Sequence, residues 1–402
     1  MINLKQSEQK CLVYIPSNIF TQLDAVIPIL LEVKSAYVCV QTFFFNKSAY
    51  AGVQQSLVHF EALKNFSDIS VMGTSKSNSF LPYFLKFVYF LIVAKCKYKN
   101  LDVIFLKKNL PFRILPKDWL YNNAVEIVLK LLSVNLVVPP AIPAPLTLNY
   151  TKRYDDNVWR KILALEGNKY VKVEHLFPKN ATYWAFTNEH KTCLRNMGCE
   201  APIVVKGMPK LGTKWVKFLD KHASQEINSH LWSAGIQANE KIITIMLTTD
   251  NYCWYPDNQS QGEALVILVE EIRKFFPNNY ILVKSKYRYS DIGAKYLKKH
   301  NLNYRISNTT CSLSSLSTRS LFAVSINETS GVFDFLCNGV PVLEFANYSK
   351  VWTSTLGSLS PWMGIPGFSV VSSTKDLNSA LAGLLHNPKH SFKDELVNYI
   401  DA

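Results

Sequence analysis

Residues 321–346, LFAVSINETSGVFDFLCNGVPVLEFA, decide how the chain is to be read. An apolar run at 321–326 stops at a small polar loop, 327–331; a helix-like segment follows at 332–338, and a second apolar run fills 340–346. The pattern is strand, loop, helix, strand. A right-handed crossover makes the two strands parallel neighbours and sets the loop at the carboxyl end of the first, where open α/β sheets bind ligands. The N–H groups of Thr329, Ser330 and Gly331 then open the helix and offer donors and a positive dipole end to an anion. The Thr329 and Ser330 hydroxyls add donors, and Gly331 lets a ligand approach the main chain. The expectation is a phosphate seat. The same residue types also serve as plain helix caps, and Gly339 as a plain helix stop. Asp334, on the first turn, is expected either to accept from ribose hydroxyls or to satisfy helix N–H groups.

Moving outward, the carboxyl-terminal half repeats this alternation. The run at 241–247 reads as a first strand ending at Thr248, Thr249, Asp250 and Asn251. A long amphipathic helix at 263–276, a strand at 280–283, a helix at 289–300, a strand at 303–306 and a short helix at 313–319 lead into the opening stretch. After it come a strand at 368–371 and helices at 375–385 and 392–400. Lys284, Ser285 and Lys286 follow the second strand directly. Two cations beside a helix N-terminus suit a pyrophosphate or a departing nucleotide without a metal. Asp250 is a candidate carboxylate for base or nucleophile work, and an Asp-Asn turn accounts for it equally in form.

The amino-terminal half alternates as well: strand 11–15, helix 22–33, strand 36–45, helix 53–64, strand 69–72, helix 81–95, strand 101–106 and strand 136–138. Alternation of this kind predicts a parallel sheet with helices on both faces. No GxGxxG follows the first strand, so a dinucleotide site there is not expected. The proline cluster at 139–145 is a loop, either a stiff connection or a cleft border. A helix at 155–165 and a strand at 170–175 come next. On that strand Glu174 and His175 face opposite sides, and His175 is a candidate base. The strand at 183–187, a helix 189–197 capped by Asn188 and stopped by Gly198, and a strand at 202–205 end at a turn with Gly207, Pro209 and Lys210. Glu189 and His190 are further candidates on the acceptor side. The polar helical stretch at 213–240 holds the junction, giving domains 1–220 and 221–402, with the last helix expected to pack back on the first.

With 402 residues, 48% hydrophobic and 18% charged, the chain suits two globular domains, not a disordered protein. A net charge of +14 calls for an acidic partner. The basic residues are dispersed without an arginine-rich run, which argues against nucleic acid and leaves an anionic membrane surface or a phosphorylated substrate. The eight cysteines have no metal spacing and no CxxC. Buried free thiols and a reducing cytoplasm are expected, and MINLKQSEQK lacks a signal-peptide apolar core. The most apolar stretch, 80–94, carries Lys86 and Pro82 and reads as a buried or interfacial helix, not a span.

Thr329-Ser330-Gly331, Asp334 and Gly339-Val340-Pro341-Val342 resemble the donor site of GT-B glycosyltransferases that build bacterial capsule, lipopolysaccharide and teichoic acid. β-Kdo transferases, sialyltransferases and CDP-glycerol glycerophosphotransferases are the members in view. The resemblance implies an α/β, GT-B-like fold of two Rossmann-like domains with parallel sheets facing a central cleft. It implies that Glu328, Thr329, Ser330, Gly331 and Asp334 meet the nucleotide, with Asp334 where Glu is usual. The loop at 283–287 is similar to a Val-Lys-Pro-His-Pro loop whose His reaches the donor phosphate, with Lys286 at the His and Tyr287 at the second Pro. Gly207, Pro209 and Lys210 match a Gly-x-Pro-Lys turn beside the interdomain cleft.

The resemblance implies a metal-independent transferase without cofactor, expected to move a sugar, Kdo or another CMP-linked acid sugar, or a CDP- or UDP-linked one, to a surface-polysaccharide or lipid-linked glycan. Other polysaccharide-assembly enzymes are implied partners. The expected location is the cytoplasm, peripheral on the inner membrane face. A sugar-nucleotide epimerase of the same architecture, and a non-enzymatic basic protein binding nucleic acid or membrane, are the alternatives.

Overall fold

The computed structural model describes residues 7–16, 20–44, 47–54, 56–71, 81–105, 127–140, 181–233, 235–237, 240–248, 260–285, 290–356, 360–386 and 392–401. The expected helix at 155–165, the strand at 170–175 with Glu174 and His175, most of the proline cluster, Asp250 and Lys286 lie outside them. The chain divides into two compact units, with the changeover between Trp215 and Val216 inside the helix Thr213–Ser233.

The first unit holds a seven-stranded parallel sheet. Its strands are β1 (Ser7–Ile15), β2 (Cys39–Phe44), β3 (Asp68–Val71), β4 (Tyr98–Phe105), β5 (Asn135–Val138), β6 (Ala181–Ala185) and β7 (Ile203–Val205), in the order β3-β2-β1-β4-β5-β6-β7. β1 lies between two neighbours and is covered on both faces, so Cys11, Leu12, Val13, Tyr14 and Ile15 are all buried. A continuous apolar run is what such a strand requires. Burial pushes the Cys11 thiol well above its ordinary range, with Cys39 on the adjoining strand adding to the shift.

The second unit repeats the plan with six parallel strands: β8 (Ile242–Met246), β9 (Tyr280–Lys284), β10 (Ile306–Thr309), β11 (Ser320–Ile326), β12 (Val342–Phe345) and β13 (Phe368–Val371). Their order, β10-β9-β8-β11-β12-β13, is that of a Rossmann sheet. The helix Gln261–Phe275 begins at a capping box, in which the Ser260 hydroxyl accepts from the Glu263 N–H and the Glu263 carboxylate from the Ser260 N–H. Leu265, Leu268 and Ile272 recur at helical spacing and pack on Ile243, Ile245, Phe322 and Val324 of the two central strands. Each such side chain contributes roughly 1.5–3 kcal/mol by leaving water.

Several boundaries differ from expectation for local reasons. The single helix expected at 53–64 is two, Lys47–Gln54 and Leu57–Phe66, with Ser56 extended before the second. β10 starts at Ile306 rather than 303, because Arg305 takes a left-handed φ of +46° that turns the chain into the strand. The cap of helix Asn188–Asn196 is Thr187, not Asn188: its Oγ1 accepts the His190 N–H at 3.0 Å. The helix Lys350–Leu356 has no counterpart in the sequence reading.

At the end of the second unit, Gly367 has a φ of +77°, and a Cβ there would run into the ring of Phe392, which leads into the helix Lys393–Asp401. Gly367→Ala should therefore cost about 1–3 kcal/mol in urea unfolding. Adding Phe392→Leu should recover the steric share and leave the backbone strain.

Candidate functional site

In the second unit β8 and β11 are neighbours from which the chain departs in opposite directions, so their carboxyl ends form the switch point where sheets of this class bind ligands. The tail of β8 is pinned there. Thr248 donates its N–H to Gln261 Oε1 at 2.6 Å and its hydroxyl to the Ile326 carbonyl at 3.2 Å. β11 ends at Asn327, whose φ of +57° lies in the left-handed region that Asn tolerates better than most residues. Its N–H donates to Phe345 O at 3.1 Å and its Oδ1 accepts from Asn347 N–H at 3.0 Å, so the reversal is held on both sides.

The next peptide is fixed from β12. Glu328 N–H donates to the Tyr348 hydroxyl at 2.8 Å, and that hydroxyl donates to Glu344 Oε1 at 2.9 Å. Ser360 Oγ donates to Glu344 Oε2 at 2.8 Å. Glu344 is wholly buried within its strand. Sequence reasoning missed it, although a carboxylate inside the run VPVLEFA had to find donors.

Within the loop, the Gly331 N–H donates to Thr329 Oγ1 at 3.2 Å, and the N–H groups of Val332, Phe333 and Asp334 reach back to the carbonyls of Thr329, Ser330 and Gly331 at 3.3, 3.3 and 3.1 Å. These tight turns open the short helix Val332–Leu336. The amides of Thr329 and Ser330 and the Ser330 hydroxyl have no partner among the described residues, and both residues are part-exposed. Gly331 is demanded from beneath: a Cβ would strike Leu313 Cδ1 and lie 3.4 Å from Met246 Sδ. Asp334 is buried and its Oδ1 accepts from Ser314 Oγ at 2.5 Å. This contact is with a neighbouring side-chain hydroxyl, not with the ribose or the helix N–H groups expected from the sequence.

The other expected residues stand elsewhere. Lys284, at the end of β9, donates to the Thr310 carbonyl at 3.1 Å, toward β10 and with β8 between it and β11. Ser285 is buried, donating to Asn308 Oδ1 at 3.1 Å and accepting the Gly293 N–H at 2.9 Å, which ties the helix Ser290–Lys299 to β10. Glu328, Thr329, Ser330, Gly331 and Asp334 thus form one group, while Lys284 and Ser285 make a separate clasp. In the first unit, Glu189 lies in the first turn of helix Asn188–Asn196. Gly207 has a φ of +70°, and the buried Pro209 and Lys210 begin a single 3-10 turn, Pro209–Leu211. Among the described residues no three His, Cys, Asp or Glu side chains converge as a metal site.

The first unit also holds a buried chain of polar groups that the sequence did not announce. His59 Nδ1 meets Ser56 Oγ at 2.6 Å and its Nε2 meets Asp24 Oδ1 at 2.7 Å. The residue types are those of a nucleophilic triad, with the ring nitrogens exchanged. Ser56 is buried, however, so its hydroxyl is shut away from any substrate, and the arrangement joins helix Phe20–Val33 to helix Leu57–Phe66.

No protein-family model matches the chain, and no curated protein matches its sequence. Solved structures do resemble it. A putative UDP-N-acetylglucosamine 2-epimerase from Listeria monocytogenes superposes with a TM-score of 0.55 at 12% identity, over 98% of this chain and 91% of that one. The UDP-GlcNAc 2-epimerase from Neisseria meningitidis, bound to UDP-GlcNAc, gives 0.50 at 12% identity over 96% and 94%. TcCGT1 in complex with UDP gives 0.50 at 9% identity over 98% and 94%. The fold is GT-B-like. Two parallel-sheet Rossmann-like units, of seven and six strands, are the GT-B plan, and the loop after β11 occupies the switch point of the second.

His190, a sequence candidate, is instead a buried acceptor in this GT-B-like chain. Its Nδ1 takes the Phe186 N–H at 3.4 Å, and burial pushes its pKa from 6.5 down to about 3. Between those values the unfolded chain holds a proton that the folded chain lacks. Stability is therefore full above pH 6.5 and falls with acidification by about 1.4 kcal/mol per pH unit. In urea unfolding, His190→Asn, whose amide oxygen can accept the same N–H, should lose about 2 kcal/mol less than the wild type between neutral pH and pH ~5.

Proposed function

We propose that the chain is a nucleotide-sugar enzyme, a glycosyltransferase that passes a sugar from a nucleotide donor to a glycan acceptor. The observation that carries this reading is the loop at 328–331, set at the β8/β11 switch point with the Thr329 and Ser330 amides and the Ser330 hydroxyl open to an anion. The departing nucleotide gains negative charge as the glycosidic bond breaks, and oriented N–H groups stabilise that charge most where it develops. Lys286, in the loop after β9, is assigned to the same phosphate on the strength of the sequence resemblance. Asp250 is assigned as base or nucleophile, with His175 and Glu189 as acceptor-side candidates.

The donor is open within one class. UDP is the first nucleotide to test, because two structures of similar fold hold UDP-GlcNAc and UDP. A CMP-linked acid sugar such as Kdo, and a bacterial surface-glycan or lipid-linked acceptor, rest on the sequence resemblance alone. A second reading, sugar-nucleotide epimerisation, is favoured by the two structurally similar proteins described as UDP-GlcNAc 2-epimerases.

A thermal-shift series with UDP, CDP, CMP and GDP should show one nucleotide raising the unfolding temperature, since a ligand confined to the native state stabilises it. Ser330→Trp should weaken that nucleotide tenfold or more while changing ligand-free stability by less than about 0.5 kcal/mol. Equal loss of binding and stability would reduce the loop to a helix cap. With the matching nucleotide sugar, release of nucleotide only when acceptor is added supports transfer; rearrangement of the sugar while still nucleotide-linked, without acceptor, supports epimerisation.

A further inference from the structure

We propose that the outer face of helix Leu81–Lys97, in the first unit, lies on an anionic lipid bilayer. The helix buries Phe87, Leu91 and Ala94 against its own unit. At about 100° per residue, Leu85, Tyr89, Ile92, Val93 and Cys96 fall on the opposite arc. There a water-soluble surface would carry polar groups. Instead Leu85 is 56% exposed, Tyr89 70%, Ile92 43% and Val93 46%. Lys86 and Lys97 border this arc on one side and Lys95 on the other, and the helix contains no Asp or Glu.

The apolar surface continues onto a neighbour. Lys95 Nζ donates to the Ser133 carbonyl at 3.2 Å, which brings up the helical turn at residues 127–131 with Ile127 57% and Leu131 76% exposed. Lys130, also exposed, adds a further ammonium. Apolar side chains amid lysines, with a tyrosine between, are the makeup of a helix lying in the headgroup layer, where lysine stems extend to keep their charge at phosphate level. No described helix is long and apolar enough to cross a membrane, so the contact is with one leaflet.

Charge decides the occupant. A two-fold dimer through this face would set its lysines against their own copies with no carboxylate on either helix to offset them. An anionic leaflet attracts the same lysines, as it does a chain of net charge +14.

The test is flotation of the full chain with vesicles of phosphatidylglycerol and phosphatidylcholine, and with phosphatidylcholine alone. The chain should float with the anionic vesicles only, and less at high salt. The triple variant Leu85→Ser, Tyr89→Ser, Ile92→Ser should lose binding at least tenfold, and Lys86→Gln with Lys97→Gln about fivefold per lysine. Unfolding temperatures check that the variants are folded; should the triple variant not fold, the lysine pair carries the test. The proposal is overturned if the chain ignores anionic vesicles or if the folded variants float as well as the wild type. It is also overturned if sedimentation shows a dimer that the same substitutions dissolve, in which case a second copy covers the face.

Discussion

A carboxylate with no exposure to water organises the carboxyl end of the second sheet. Glu344 sits in β12 between two other strands, and leaving its oxygens without donors there would cost several kcal/mol. It is met by the hydroxyls of Tyr348 and Ser360, drawn from the two segments that follow the strand. Because Tyr348 also receives the Glu328 N–H, the requirement is passed on to the loop after β11. With Asn327 held from Phe345 and Asn347, the start of that loop is set by β12 and the residues just after it together with Asn327's own side chain and backbone.

Seen from the other side, the same loop is fitted to its neighbours by shape. Gly331 abuts Leu313 and Met246 without room for a methyl group, and Asp334 leans on Ser314. A glycine that looked from the sequence like an invitation to a phosphate thus has a packing reason of its own. The two explanations are compatible: the packing on Leu313 fixes Gly331, while the preceding amides, those of Thr329 and Ser330, keep no partner among the described residues.

How much of this could be read beforehand follows from the range of the interactions. Parallel strands buried on both faces must be apolar throughout, so β1, β8 and β11 stood out as unbroken runs and their alternation with helices gave the α/β class. The crossover through residues 321–346 was legible for the same reason. Interactions between residues distant in sequence were not. Nothing near Glu344 signalled Ser360, nothing near His59 signalled Asp24, and Ser285 looked like a phosphate ligand until Gly293 and Asn308 were placed around it. Helix 81–97 shows a further limit: composition located it, but only coordinates separate the side that is covered from the side that is bare.

The bracing of Asn327 through Gly331 bears on the thermodynamics of the anion binding proposed for it. A segment already immobilised by its own protein has little conformational freedom left to surrender, so the usual unfavourable entropy of ordering a flexible clamp is largely absent. Capture at such a rigid rim would be governed by desolvation of the incoming group and by how quickly it diffuses to the switch point, not by a slow rearrangement of the chain around it.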